Sequence, residues 1–165
     1  ITLLGTTGDT LPIYSMEVSM TGDDRLIPSV SHDAQNTVLF NTYCSGGFVS
    51  CSWSLIDKAS GNYLAEFRDI IYTDTLQNTI LHMTDDQTLK LYIMDANKEF
   101  DIEYPKEKWE KSYVNYGGVF PARNYFTVEH TDATHLKVTY RFKDEAISKE
   151  WLEESFVIDL NEYLK

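Results

Sequence analysis

Nowhere in the 165 residues do apolar side chains run on for the roughly 20 positions that a helix needs to cross a bilayer. A helical membrane span is therefore excluded within this sequence. Basic residues are the next shortage: 14 Lys and Arg stand against 26 Asp and Glu, a net charge of −12. Binding to DNA, RNA or an anionic lipid surface draws on Lys and Arg displacing counterions, so this balance argues against all three. The acidity serves solubility, or else a cationic partner such as a basic protein or Ca²⁺. Glycine-rich phosphate cradles are also missing. The pairs Gly46-Gly47 and Gly117-Gly118 are followed by neither the Lys nor the helix start that such a cradle uses.

Cysteine is limited to Cys44 and Cys51. If the chain reverses at Gly46-Gly47-Phe48, the flanking strands place the two opposite one another. Opposed residues in a non-hydrogen-bonded antiparallel pair come within about 4.5 Å between Cα atoms, inside disulfide reach. The spacing predicts a bridge, which would add at most about 2–3 kcal/mol and point to an oxidising compartment. The competing reading is a pair of reduced core thiols. The start, Ile1-Thr2-Leu3-Leu4-Gly5, has no initiator Met, basic n-region or apolar h-region and reads as a processed N-terminus.

What the sequence has in abundance is two-residue alternation. In Leu136-Lys137-Val138-Thr139-Tyr140-Arg141-Phe142 apolar and polar residues trade places at every step, which gives a strand one buried and one wetted face. Similar segments are Pro12–Met20, Thr37–Cys44, Val49–Ile56, Tyr63–Phe67, Leu76–Met83, Thr88–Met94, Phe100–Tyr104, Tyr125–His130 and Glu154–Leu160, with turn signals between them. The region from Thr21 through Pro28 to about Gln35 reads as a turn and loop. Roughly ten strands in 1–165 predict a single all-β domain, an antiparallel two-sheet sandwich, with a closed up-and-down barrel as the alternative. Helical spacing is confined to a short helix or long loop near 105–120. There Pro105 suits a helix start, Trp109, Tyr113 and Tyr116 recur at i, i+4 and i+7, and Gly117-Gly118 would stop it. Ile147–Glu154 is a second short helical candidate, with Ser148 as cap.

Catalytic vocabulary is thin. Glu129-His130-Thr131-Asp132-Ala133-Thr134-His135 brackets a hairpin turn, and two imidazoles with a carboxylate can hold Zn²⁺. The alternation points His130 toward the Phe126 and Val128 face and Glu129 away, so a solvated turn is the simpler reading. His32-Asp33 lacks a third member for a nucleophilic triad. Asp101 and Glu103 share a strand face, as any i, i+2 acids do. Gly22-Asp23-Asp24 and Asp85-Asp86 offer oxygen ligands to a structural Ca²⁺, yet neither follows the spaced Asp loop of a dedicated site. No cofactor is implied, and no metal ligands are assigned.

Aromatics are the surplus: 11 Tyr, 8 Phe and 3 Trp. Tyr104, Trp109, Tyr113, Tyr116, Phe120 and Tyr125 crowd the longest interval between strands. Loops on a rigid sandwich tend to carry binding, and amphipathic rings suit flat protein or sugar surfaces. The expectation is a non-catalytic extracytoplasmic binding, adhesion or assembly domain (extracellular, cell-surface or periplasmic). Its anchors would be Trp109, Tyr113 and Tyr116, with Arg123 as polar partner. The alternative for these rings is a core role. Other readings are a small-molecule carrier in a closed barrel, a metal-dependent hydrolase using His130 and His135, and an acidic inhibitor of a basic enzyme.

Overall fold

The computed structural model describes residues 2–4, 10–12, 29–43, 52–115, 121–144 and 150–164. It is all-β and sandwich-like, with thirteen strands among the described residues. The chain divides into two compact units, Ile1–Arg68 and Asp69–Lys165.

The first unit holds β1 (Thr2–Leu4) paired with β2 (Thr10–Pro12), and an antiparallel meander of β3 (Ser29–Asp33), β4 (Thr37–Tyr43), β5 (Ser52–Asp57) and β6 (Tyr63–Phe67). Val38-Leu39-Phe40 is apolar without a break because β4 is buried on both faces. Val38 and Phe40 cluster with Ile56 on one face, while Leu39 opposes the buried Leu55 on the other. The β5–β6 reversal is built on Asp57, whose Oδ1 accepts from the Ser60 amide at 2.7 Å and its hydroxyl at 2.6 Å. Those donors hold the Asp57 carboxyl below the usual carboxylate range. Gly61 completes the turn at φ 72°, a left-handed conformation that glycine adopts without steric cost.

The second unit is a sandwich in its own right. One sheet runs β10 (Lys98–Asp101), β9 (Leu89–Ile93), β8 (Thr79–Met83), β7 (Asp69–Asp74), and the other β11 (Phe126–His130), β12 (His135–Phe142), β13 (Leu152–Asp159). Leu81, Met83, Leu89 and Leu91 of the first share one core with Phe126, Leu136, Val138, Tyr140 and Ile158 of the second. The alternation from Leu136 to Phe142 is realised residue by residue, each of its apolar members buried. Helix α1 (Lys106–Asn115) fills the interval where one was expected. Each of the larger sheets ends in strands with no further neighbour among the described residues, so no barrel closes there.

In the three larger sheets two strands escaped the sequence pattern, and each carries a register shift. In β7, Ile70 opposes His82 but Tyr72 opposes Leu81, leaving Ile71 as the extra residue that breaks the alternation. In β3 the shift falls between Val30 and His32. Leu152–Glu154, expected to close a short helix, instead open β13, in unbroken register with β12 from Leu152↔Phe142 to Asp159↔His135. The strand expected over Pro12–Met20 lies largely outside the described residues, as do Cys44, Cys51, Tyr116 and Asp23-Asp24.

Candidate functional site

Helix α1 is anchored at its start by the β8–β9 turn. Tyr104 donates its hydroxyl to the Gln87 carbonyl at 2.8 Å, Trp109 Nε1 donates to Gln87 Oε1 at 2.9 Å, and Lys106 Nζ reaches the Asp86 carbonyl at 2.8 Å. Gln87 sits at φ 62°, an uncommon conformation for a residue with a Cβ, and these contacts hold it there. Lys106 and Glu110 form an i, i+4 pair at 3.4 Å on the helix surface.

Trp109 has none of its surface accessible and belongs to the core. Its indole meets the Tyr125 ring edge-on at 5.0 Å and Phe126 at 5.1 Å. Chosen from the sequence as a contact anchor, it is in the structure a core residue. The row of rings continues outward: Tyr125 lies 5.5 Å from Trp151, which is 40% exposed. The Lys143 ammonium stands over the Trp151 ring, 5.3 Å from its centre. In the sequence Trp151 falls inside Ile147–Glu154, the second short helical candidate. No periodicity could have joined it to Tyr125, because the pairing depends on the return of β13 beside β12.

Of the other expected anchors, Tyr113 lies on α1 with its side chain outside the described set, and Tyr116 lies outside it altogether. Arg123 occupies a 3₁₀ turn, Ala122–Asn124, beside the partly buried carboxyl of Asp69. Burial pushes that carboxyl up, against the pull of the Ala122 and Arg123 amides and the Arg123 charge. Arg123 thus helps hold the turn to β7.

No family model, curated protein or solved structure matches the chain. Its chemistry is read from its own residues.

The histidines of the 130–135 hairpin are parted by the pleat. His130 opposes the buried Leu136, and its Nδ1 lies 2.9 Å from the Asp132 carbonyl oxygen while Nε2 stands 3.1 Å from Asp74 Oδ2. The last contact is close but off the line of a hydrogen bond, so it counts as an ion pair by distance alone. His135 opposes Asp159 on the other face and meets Asp132 Oδ1 at 2.9 Å. Asp132 raises the His135 imidazole above its ordinary value, and the Thr134 amide, followed by His135, holds the Asp132 carboxyl down to about 2. Two imidazoles on opposite faces of a sheet do not converge on one ion. Among the described residues no three His, Cys, Asp or Glu side chains form a cluster able to hold a metal.

On the other face of the four-stranded sheet, His82 Nε2 is 2.9 Å from Glu99 Oε1, and Lys90 Nζ reaches Glu99 Oε2 at 2.7 Å and Asp101 at 3.3 Å. Burial holds the His82 imidazole below its ordinary value despite the pull of Glu99. The charges of this cross-strand group are mutually engaged, as expected of a structural network.

Proposed function

We propose that the chain is a non-catalytic binding module of the adhesion or assembly kind, acting outside the cytoplasm, whose contact surface takes a protein or glycan face. One observation carries this: the ring series from Trp109 through Tyr125 ends in the accessible indole of Trp151, with Lys143 over it. A tryptophan held by rigid neighbours offers a large amphipathic surface with little entropy left to lose, the property that enriches Trp at binding hot spots. Lys143 adds a donor beside an apolar plane, a combination suited to sugar rings and to aromatic or acidic protein side chains. The net charge of −12 favours partners without polyphosphate.

The test compares the wild-type chain with Trp151→Ala on a glycan array and on a panel of immobilised secreted proteins. A bound target whose affinity falls about thirtyfold in Trp151→Ala, with unchanged circular dichroism and melting, supports the reading. A target bound equally by both chains removes Trp151 from it. Turnover of any substrate, lost on changing a single side chain, would end the non-catalytic reading.

The extracytoplasmic assignment is supported by cysteine spacing. The last described pair of the β4–β5 hairpin is Tyr43↔Ser52, one residue short of Cys44 and Cys51 on either strand. Thiol titration of denatured, unreduced protein should find no reactive thiol. Two reactive thiols would place the chain in a reducing compartment.

A further inference from the structure

One end of the Asp69–Lys165 unit carries an open cleft of about 440 Å³. It is walled by the turn between β7 and β8, the turn between β9 and β10, and the residues that follow the 3₁₀ turn Leu160–Glu162. The first two turns are tied side by side. Met94 donates its amide to the Asn78 carbonyl at 2.9 Å, and Asn78 Nδ2 donates to Asp95 Oδ2 at 3.0 Å. Tyr163, steadied by Phe100 at 5.3 Å between ring centres, supplies an aromatic wall, and Leu164 and Ile93 extend it. Leu76 lines the same space and is 73% exposed, the highest value among the large apolar side chains described. An aliphatic side chain left this wet beside a cleft is apolar surface that a ligand can cover.

Two opposite charges line the cleft, Asp95 and Lys98. They form no ion pair with each other, and Lys98 has none with any described residue. In the same unit Lys90, Lys106, Lys108 and Lys137 each meet a carboxylate. Among the described lysines of this unit, Lys98 is thereby set apart from these four. Asp95 engages Asn78 through Oδ2 alone, which leaves Oδ1 available. A plain anion approaching this cleft works against the field of a chain of net charge −12, and a plain cation meets Lys98. A ligand that carries both charges and no net charge avoids both penalties.

We propose that this cleft binds a small zwitterion with an apolar body, a free hydrophobic amino acid or short peptide, carboxylate toward Lys98, ammonium toward Asp95, and side chain against Leu76, Tyr163 and Leu164. The volume falls in the range of about 300–1,000 Å³ typical of small-ligand sites. The site is separate from the Trp151 surface and stands or falls independently of it.

The dipeptide Leu-Leu is the probe, titrated into the isotope-labelled full chain and followed by amide NMR. The expected result is saturable shifts confined to residues 76–78, 95–98 and 160–164. N-acetyl-Leu-Leu and Leu-Leu amide should each bind about tenfold or more weakly. In Lys98→Met the free and amidated dipeptides should bind alike, and in Asp95→Asn the free and acetylated ones should, since each variant removes the charge that the blocked end would have met. Asp95→Asn keeps an acceptor for Asn78, and Lys98 is exposed, so both variants retain the fold; their spectra check it. Absence of saturable shifts up to about 10 mM, a range that corresponds to negligible affinity, overturns the proposal. So do blocked dipeptides that bind as well as the free one.

Discussion

Trp109→Ala lowers the stability of the Asp69–Lys165 unit by about 3–5 kcal/mol, read as a shift of the urea midpoint. Large-to-small changes at a fully buried indole cost this much because the cavity collapses only in part. The ring also fills the junction of Tyr125 and Phe126 with α1. A second loss adds to the first: Gln87 Oε1 forfeits the indole donor, in a turn already held at a left-handed residue. Trp109→Phe narrows the comparison, since it keeps most of the ring volume while removing the N–H, and costs about 1–2 kcal/mol. Total stabilities of domains this size run to about 5–15 kcal/mol, so the alanine variant is expected to be partly unfolded at 37 °C. A Trp109→Ala midpoint equal to the wild type's would show that the indole is not core.

The next largest effect is expected at Asp74, which is 1% exposed. Its Oδ1 accepts from the amides of Leu76 at 2.9 Å and Gln77 at 3.3 Å, fixing the β7–β8 turn, while Oδ2 faces His130 across the sandwich. Asp74→Ala removes the acceptor that the Leu76 and Gln77 amides share, a loss of about 3 kcal/mol. Asp74→Asn retains a carbonyl oxygen for the two amides and surrenders only the charge, so it costs about half as much. Equal destabilisation by the two would mean that the turn is indifferent to Oδ1 and that the charge is the whole effect. Because Leu76, Gln77 and Asn78 line the 440 Å³ cleft, Asp74→Ala should also broaden their amide resonances.

The architecture was legible wherever one face of a strand meets core and the other meets water. Leu136–Phe142 is the clearest instance, while the hairpins β4–β5 and β8–β9, whose inner strands are buried on both faces, emerged from the turn residues between them. Legibility failed at the bulges. Ile70-Ile71-Tyr72 has the composition of a strand but not its period, since one residue is looped out of the ladder. It failed too at Leu152–Glu154, where acidic helix formers are held extended by their pairs with Phe142, Arg141 and Tyr140 of β12. The helix near 105–120 was visible, yet whether Trp109 faces solvent or core depends on Gln87 and Tyr125, 22 and 16 positions away, and spacing within the helix cannot decide it. The Trp151 surface and the Asp95–Lys98 cleft share that property. Each is assembled from turns that are remote in sequence, and no local motif announces either.

The order of the strands has one more consequence. In all three of the larger sheets, every described ladder joins strands that follow one another directly along the chain. Hydrogen-bonded registry can therefore be settled hairpin by hairpin, at the small entropic cost of closing short segments. In the second unit, the one demanding search is the docking of two finished meanders onto a common apolar seam, so a slow kinetic phase, where one exists, belongs to that encounter and not to finding strand partners.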